Sequence, residues 1–200
     1  SDRIEAVGDL SRAESRETVD AAGCFVSPGF IDVHSHSDAY LLIEPAAHSK
    51  TFQGVTTEVV GNCGASAAPR LGTARMPTDW QDKSFPGRWN TVAEYRSLLE
   101  QVAPAPNVVL LVGHNNVRAS VMGYDDRAPS ADELAAMERL LETALDEGGG
   151  GLSTGLIYSP GMFARPEEIA ALARVAARRG GLYTSHMRSE GRRLVESIAE

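Results

Sequence analysis

The 200-residue chain is 42% hydrophobic and 23% charged, the balance of a globular protein, which excludes disordered, collagen-like and disulfide-scaffold classes. Nineteen basic against 27 acidic residues give a net charge of −8, a field that repels an extended phosphate backbone, so nucleic acid is not an expected partner. The longest strongly apolar run, Val108 to Val112, falls far short of the roughly 20 residues a membrane helix needs, and no membrane partner is expected.

The chain opens Ser1-Asp2-Arg3, with neither an initiator Met nor an apolar targeting core, so any leader is expected to be absent or to lie outside this sequence. Two cysteines, Cys24 and Cys63, are too few for a disulfide framework, and a reducing, cytoplasmic setting is expected. Short strand-like stretches at Ile4 to Val7 and around Val19 to Val26 predict that residues 1–27 are part of a small β domain. From Gly29 onward apolar runs alternate with helix-period segments, the pattern of a parallel α/β sheet. Five strands are predicted: Phe30 to His36, Thr56 to Cys63, Val108 to His114, Gly151 to Leu156, and Leu182 to Met187.

Between them the helices carry punctuation. Thr91 with Glu94, and Ser130 with Glu133, fit capping boxes that satisfy orphan amides at a helix start. Leu134, Met137, Leu140, Leu141, Ala144 and Leu145 form one apolar stripe, stopped by Gly148 to Gly151. Pro166 suits a first helical position, with Ile169, Leu172, Val175 and Ala176 as the buried face and Gly180 as the stop. A last helix is expected from near Glu190 to Glu200. Residues 64–90 form a connection far longer than the usual 2 to 6 residues, yet hold Trp80, Phe85 and Trp89; so much aromatic surface predicts an ordered wall or lid. Five strand-helix units fall short of the eight in a barrel of about 250 residues, leaving a smaller open sheet or a partial barrel.

Chemistry concentrates at the carboxyl ends of these strands, where parallel α/β barrels place their active sites. In Gly-Phe-Ile-Asp-Val-His-Ser-His-Ser-Asp, alternation places Asp32, His34 and His36 on one face. Two imidazoles two residues apart can reach one metal ion or can simply be hydrogen-bonded structural histidines. Cys63 ends strand two in Val-Val-Gly-Asn-Cys-Gly, and His186 lies near the end of strand five in Tyr-Thr-Ser-His-Met-Arg. A thiol with imidazoles at one rim favours zinc over the oxygen-seeking magnesium and calcium. The alternative for Cys63 is a small buried hydrophobe; flanking Gly61 and Gly64 point instead to close backbone approach. Glu58 has the opposite strand parity to Cys63, so a regular strand would turn one of them away from the barrel interior.

These stretches, PGFIDVHSHSD, QGVTTEVVGNCG, GHNNVR with VMG, GLSTGLIYSPG and GLYTSHMRSEG, resemble the amidohydrolase superfamily and, within it, the N-acyl-D-amino-acid deacylase (D-aminoacylase) family. The resemblance runs over nearly the whole chain from residue 28. It implies a distorted (β/α)8 barrel over residues 28–200 in amino-terminal part, preceded by part of a small β domain built from both chain ends. It implies one or two zinc ions, held by His34 and His36, by Cys63 in the bridging place and by His186. A further ligand histidine after strand six and a catalytic aspartate after strand eight would both lie beyond Glu200, so this sequence is expected to be an incomplete copy, inactive by itself. Many superfamily members bridge their metals with a modified lysine after strand four; Gly-Leu-Ser-Thr-Gly-Leu has none, in keeping with Cys63 in that role.

The implied activity is zinc-dependent hydrolysis of the amide of a small-molecule N-acyl-D-amino acid. Tyr158 resembles a pocket-lining family residue, and Arg188 and Arg118 could meet a substrate carboxylate, although an arginine more often forms a surface or internal ion pair. Asp38, Asp32 and His114 are candidates for outer-shell support of a ligand imidazole. The alternatives are a superfamily enzyme acting on a cyclic amide or an isoaspartyl dipeptide, and a catalytically dead metal-binding homologue.

Overall fold

In the computed structural model, which describes residues 3–200, the apolar and β-branched runs form five strands: β1 (Phe30–Asp32), β2 (Val55–Val60), β3 (Asn107–Gly113), β4 (Gly151–Gly155) and β5 (Leu182–His186). Every neighbouring pair is parallel, and the spatial order follows the chain, β1-β2-β3-β4-β5. Consecutive parallel strands without a switch of order are the staves of a (β/α)8 barrel, and five of them form an arc of one.

The helices are α1 (His48–Thr51), α2 (Val92–Val102), α3 (His114–Met122), α4 (Ala131–Asp146), α5 (Pro166–Arg178) and α6 (Leu194–Ala199), of which α4 and α5 pack against the sheet. Both expected capping boxes form, with Thr91 opening α2 and Ser130 opening α4. On α4, Met137, Leu141, Ala144 and Leu145 are buried, and on α5 Ile169, Leu172, Val175 and Ala176 are buried. Most of these side chains pack with Val60, Leu110, Val112 and Leu152 into the sheet-helix core. Each large one contributes about 1.5–3 kcal/mol by leaving water.

Several expectations need correction. The strands stop earlier than alternation suggested: β1 ends at Asp32 rather than His36, and β2 at Val60 rather than Cys63. At these carboxyl ends the chain leaves the ladder so that side chains can turn toward one another. Helix α3 gives no amphipathic signal because seven of its nine residues are buried, including His114, Asn115, Asn116 and Arg118. The last helix begins at Leu194, not near Glu190. Ile4 to Val7 and Val19 to Val26 are not strands: they run irregularly and exposed, with Val7 and Phe25 in solvent. A strand-like pattern needs a hydrogen-bonded neighbour to become a strand, and none of the described residues supplies one here.

The long connection is an ordered wall. Trp80 and Trp89 are only 3% and 1% exposed, and Phe85 packs edge-on against Trp89 with ring centroids 5.2 Å apart. Trp89 Nε1 donates to the Ala67 carbonyl at 2.8 Å, and Asp38 Oδ2 accepts from Ala67 N at 2.6 Å, so both ends of the segment are tied down.

Candidate metal centre

Beyond Asp32 the chain divides its side chains between two directions. Asp32 is hydrogen-bonded by Lys50, whose ammonium also lies 3.7 Å from Glu58, and Glu58 Oε2 accepts from Ser35 Oγ at 2.8 Å and Ser37 Oγ at 2.6 Å. His34 and His36 turn the other way, toward Cys63. The expectation that Asp32 shares their face therefore fails, because strand alternation ends with the ladder. Asp32 still steadies the turn, since its Oδ1 accepts from the His34 backbone N at 3.1 Å. The Lys50 hydrogen bond holds the Asp32 carboxyl below its ordinary range.

Cys63 stands on the turn Gly61–Gly64 after β2, in the left-handed region at φ +56°, between Gly61 at +75° and Gly64 at +77°. For a residue with a Cβ that conformation costs on the order of 1–2 kcal/mol, and strain of this kind is held by its surroundings. Here Ser153 on β4 supplies the hold: its Oγ donates to the Gly61 carbonyl at 2.5 Å and accepts from Gly64 N at 3.1 Å. Space is tight as well. A Cβ on Gly61 would stand 2.2 Å from the Leu111 carbonyl oxygen, which is the close backbone approach the flanking glycines suggested. Because Cys63 lies on a turn, its strand parity with Glu58 does not apply; Glu58 is buried against Ser35 and Ser37.

The turn brings Cys63 Sγ to 3.3 Å from His34 Nε2 and 3.4 Å from His186 Nδ1. Donor atoms of His34, His36 and Cys63 all lie within 4.8 Å of one another. His186 joins from the end of β5, with Nε2 3.1 Å from Glu190 Oε1 and the Tyr158 ring edge-on to its imidazole at 5.1 Å. Metal bonds to nitrogen and sulfur are about 2.0–2.3 Å, so donors 3–5 Å apart can surround one ion. Burial and the neighbouring His34 push the His36 pKa down, favouring the neutral imidazole that ligates. Burial, with the Glu190 carboxylate, pushes the Cys63 thiol up; a bound cation reverses that direction.

Chain similarity decides the family. The amidohydrolase family model matches residues 17–190. This chain belongs to the amidohydrolase family. It is 42% identical over 200 residues to a D-aminoacylase of Alcaligenes xylosoxydans xylosoxydans, and 45% identical over 202 residues to an N-acyl-D-glutamate deacylase of the same organism. Each comparison spans 100% of this chain and 41% of the relative, so the chain covers about two fifths of the curated relatives' length. A solved D-aminoacylase, described by its binuclear metal center, superposes with TM-score 0.91 at 43% identity over 99% of this chain and 42% of that one. The N-acyl-D-glutamate deacylase of Bordetella bronchiseptica, solved with zinc and a phosphonate inhibitor, superposes with TM-score 0.90 at 41% identity, covering 98% of this chain and 42% of that one.

The remaining candidates fall into two groups. Tyr158 is half-exposed and lines a cavity of about 590 Å³ together with His36 and Cys63, and the wall Ala74 to Gln81 forms one side of it. Arg188 is engaged elsewhere, by Glu200 and by the carbonyls of Met162 and Ala164. His114 is fully buried with Nε2 2.8 Å from Glu168, which also holds Arg118, so His114 and Arg118 tie α3 to α5 and touch none of the four donors. Asp38 likewise bonds Ala67 rather than an imidazole; burial raises its pKa to about 7. Sequence reasoning did not find Lys50, the two serines on Glu58, or Ser153. Ser153 had a signal: a small hydroxyl residue inside a strand, Gly-Leu-Ser-Thr-Gly, whose flanking glycines allow close backbone approach.

Proposed function

We propose that the chain carries the metal-binding part of a zinc-dependent hydrolase that cleaves the amide of N-acyl-D-amino acids, giving a carboxylate and a D-amino acid. The observation that carries this reading is the convergence of His34, His36 and His186 on the Cys63 thiol, in a fold shared with D-aminoacylase over the whole chain. A donor set of one thiol and three imidazoles suits zinc, which when bound would acidify water to a pKa of about 7 and polarise a carbonyl. His34, His36, Cys63 and His186 would hold one or two such ions.

The chain's own residues provide the rest. Glu190, its Oε1 3.1 Å from His186 Nε2, steadies the imidazole whose Nδ1 faces the Cys63 thiol. Asp32 and the Lys50–Glu58 pair fix the backbone from which His34 projects. Tyr158, stacked edge-on against His186, offers its hydroxyl to the substrate carbonyl or carboxylate at the cavity rim. A cavity of about 590 Å³ is within the usual range for a small ligand. The carboxylate that moves the proton from water to the leaving amine lies outside these residues on this reading.

Two organisational proposals accompany the activity. Residues 1–27 belong to a small β domain distinct from the barrel of residues 28–200, supported by the change of pattern at Gly29. A cytoplasmic location is supported by Cys24 and Cys63 both being free. The test of function is an assay of zinc-loaded protein extended to the length of its relatives. It should release free amino acid from N-acetyl-D-amino acids and spare the L-enantiomers, whereas the 200-residue chain alone should not. Faster turnover of a cyclic amide or an isoaspartyl dipeptide, or no turnover by the extended form, would contradict the proposal.

A further inference from the structure

We infer that Arg75, held over the ring of Tyr124 on the cavity wall, is a specificity residue that binds a carboxylate of the substrate. This rests on the deacylase reading above and goes beyond it, because it assigns a role to the long connection that the metal centre leaves unused. Arg75 and Tyr124 line the same cavity as His36, Cys63 and Tyr158. The guanidinium carbon stands 5.5 Å from the Tyr124 ring centroid, a cation-π distance that steadies the side chain while leaving its five N–H donors unspent. Among the described residues no carboxylate pairs with Arg75, in a chain that carries eight more acidic than basic side chains. An arginine fork matches a carboxylate bidentately, and in such a chain a cation on a cavity wall selects anions.

Charge of both signs lines the cavity. Asp79, on the same wall, lines the cavity with a charge of the opposite sign. Asp79 and Arg75 do not pair, and the wall therefore presents a negative group and, over Tyr124, a positive one. A substrate carboxylate is repelled from the first and drawn to the second. Beside them Trp80, 3% exposed, carries an indole N–H with no partner, a second donor on this segment.

The carboxylate could be the α-carboxylate common to all N-acyl amino acids or a second one on the side chain, and the experiment separates them. In the zinc-loaded protein extended to the length of its relatives, Arg75→Met should raise KM for N-acetyl-D-glutamate about tenfold, the usual scale of a lost charge-assisted pair. If the side-chain carboxylate is bound, the preference for N-acetyl-D-glutamate over N-acetyl-D-leucine, as a ratio of kcat/KM, should fall by the same factor. If the α-carboxylate is bound, both KM values should rise together with the ratio held. Tyr124→Leu, which removes the ring beneath the guanidinium, should act in the same direction by a smaller factor. Binding of glutarate, followed by tryptophan fluorescence because Trp80 lies on this wall, should weaken about tenfold in Arg75→Met whether or not the protein hydrolyses anything. Unchanged KM values and unchanged glutarate binding would overturn the assignment; turnover of neither substrate by the parent protein, with glutarate binding still dependent on Arg75, would overturn the deacylase reading alone.

Discussion

At Gly155 a Cβ would stand 1.9 Å from the carbonyl oxygen of Cys63, so the end of β4 and the turn that carries the thiol are shaped against each other. Gly155→Ala must push that turn aside. It should cost about 1–3 kcal/mol in urea unfolding, as overpacking does, and lower zinc affinity at the same time. Stability lost with zinc affinity kept would mean the turn is not coupled to the centre. His34, His36, Cys63 and His186 were legible because the sequence places them at strand ends that parallel topology brings to one rim. The charged layer of Asp32, Lys50 and Glu58 was not, because strand parity assumes a ladder that has already ended at Asp32 and Val60. No spacing rule predicts that Ser35 and Ser37 turn back to Glu58 across 23 and 21 residues of chain.

Among the elements, α2, α4 and α5 announced themselves by capping boxes, a first-turn proline and apolar stripes, all of them local signals. Helix α3 gave none, since its polar residues are buried and serve tertiary contacts. Chief among these is Glu168 on α5, between His114 and Arg118, all three nearly inaccessible. Burial opposes ionisation of Glu168, yet the hydrogen bonds and charges of His114 and Arg118 win, and its pKa lies below the ordinary value of 4.5. A lowered carboxyl pKa contributes stability that is fully present above the unfolded value and is lost as pH falls through the folded one. Glu168→Gln should therefore destabilise the protein by about 3–5 kcal/mol at pH 7, the scale of a broken buried pair, with the deficit shrinking as pH drops below about 4. Urea unfolding at both pH values checks this; a deficit that grows on acidification would refute the ion-pair account.

Over the whole molecule, the arc has two edge strands, β1 and β5. Phe30, Ile31 and Val33 at one edge and Leu182 and Tyr183 at the other are all more than two fifths exposed. Unpaired parallel edges flanked by apolar side chains recruit further strands. The 200-residue chain should therefore self-associate with rising concentration in sedimentation velocity, and Ile31→Lys with Leu182→Lys should shift it toward monomer. A monomer at every concentration would show that these edges are already protected.

The central claim is that the Cys63 thiolate and the three histidines hold one metal centre, and cobalt(II) substitution tests it most directly. A thiolate bound to cobalt gives a charge-transfer band in the near ultraviolet that imidazole and carboxylate ligands do not. The protein should develop that band, Cys24→Ser should keep it, and Cys63→Ala should lose it. Persistence of the band in Cys63→Ala, or its loss in Cys24→Ser instead, would contradict the account.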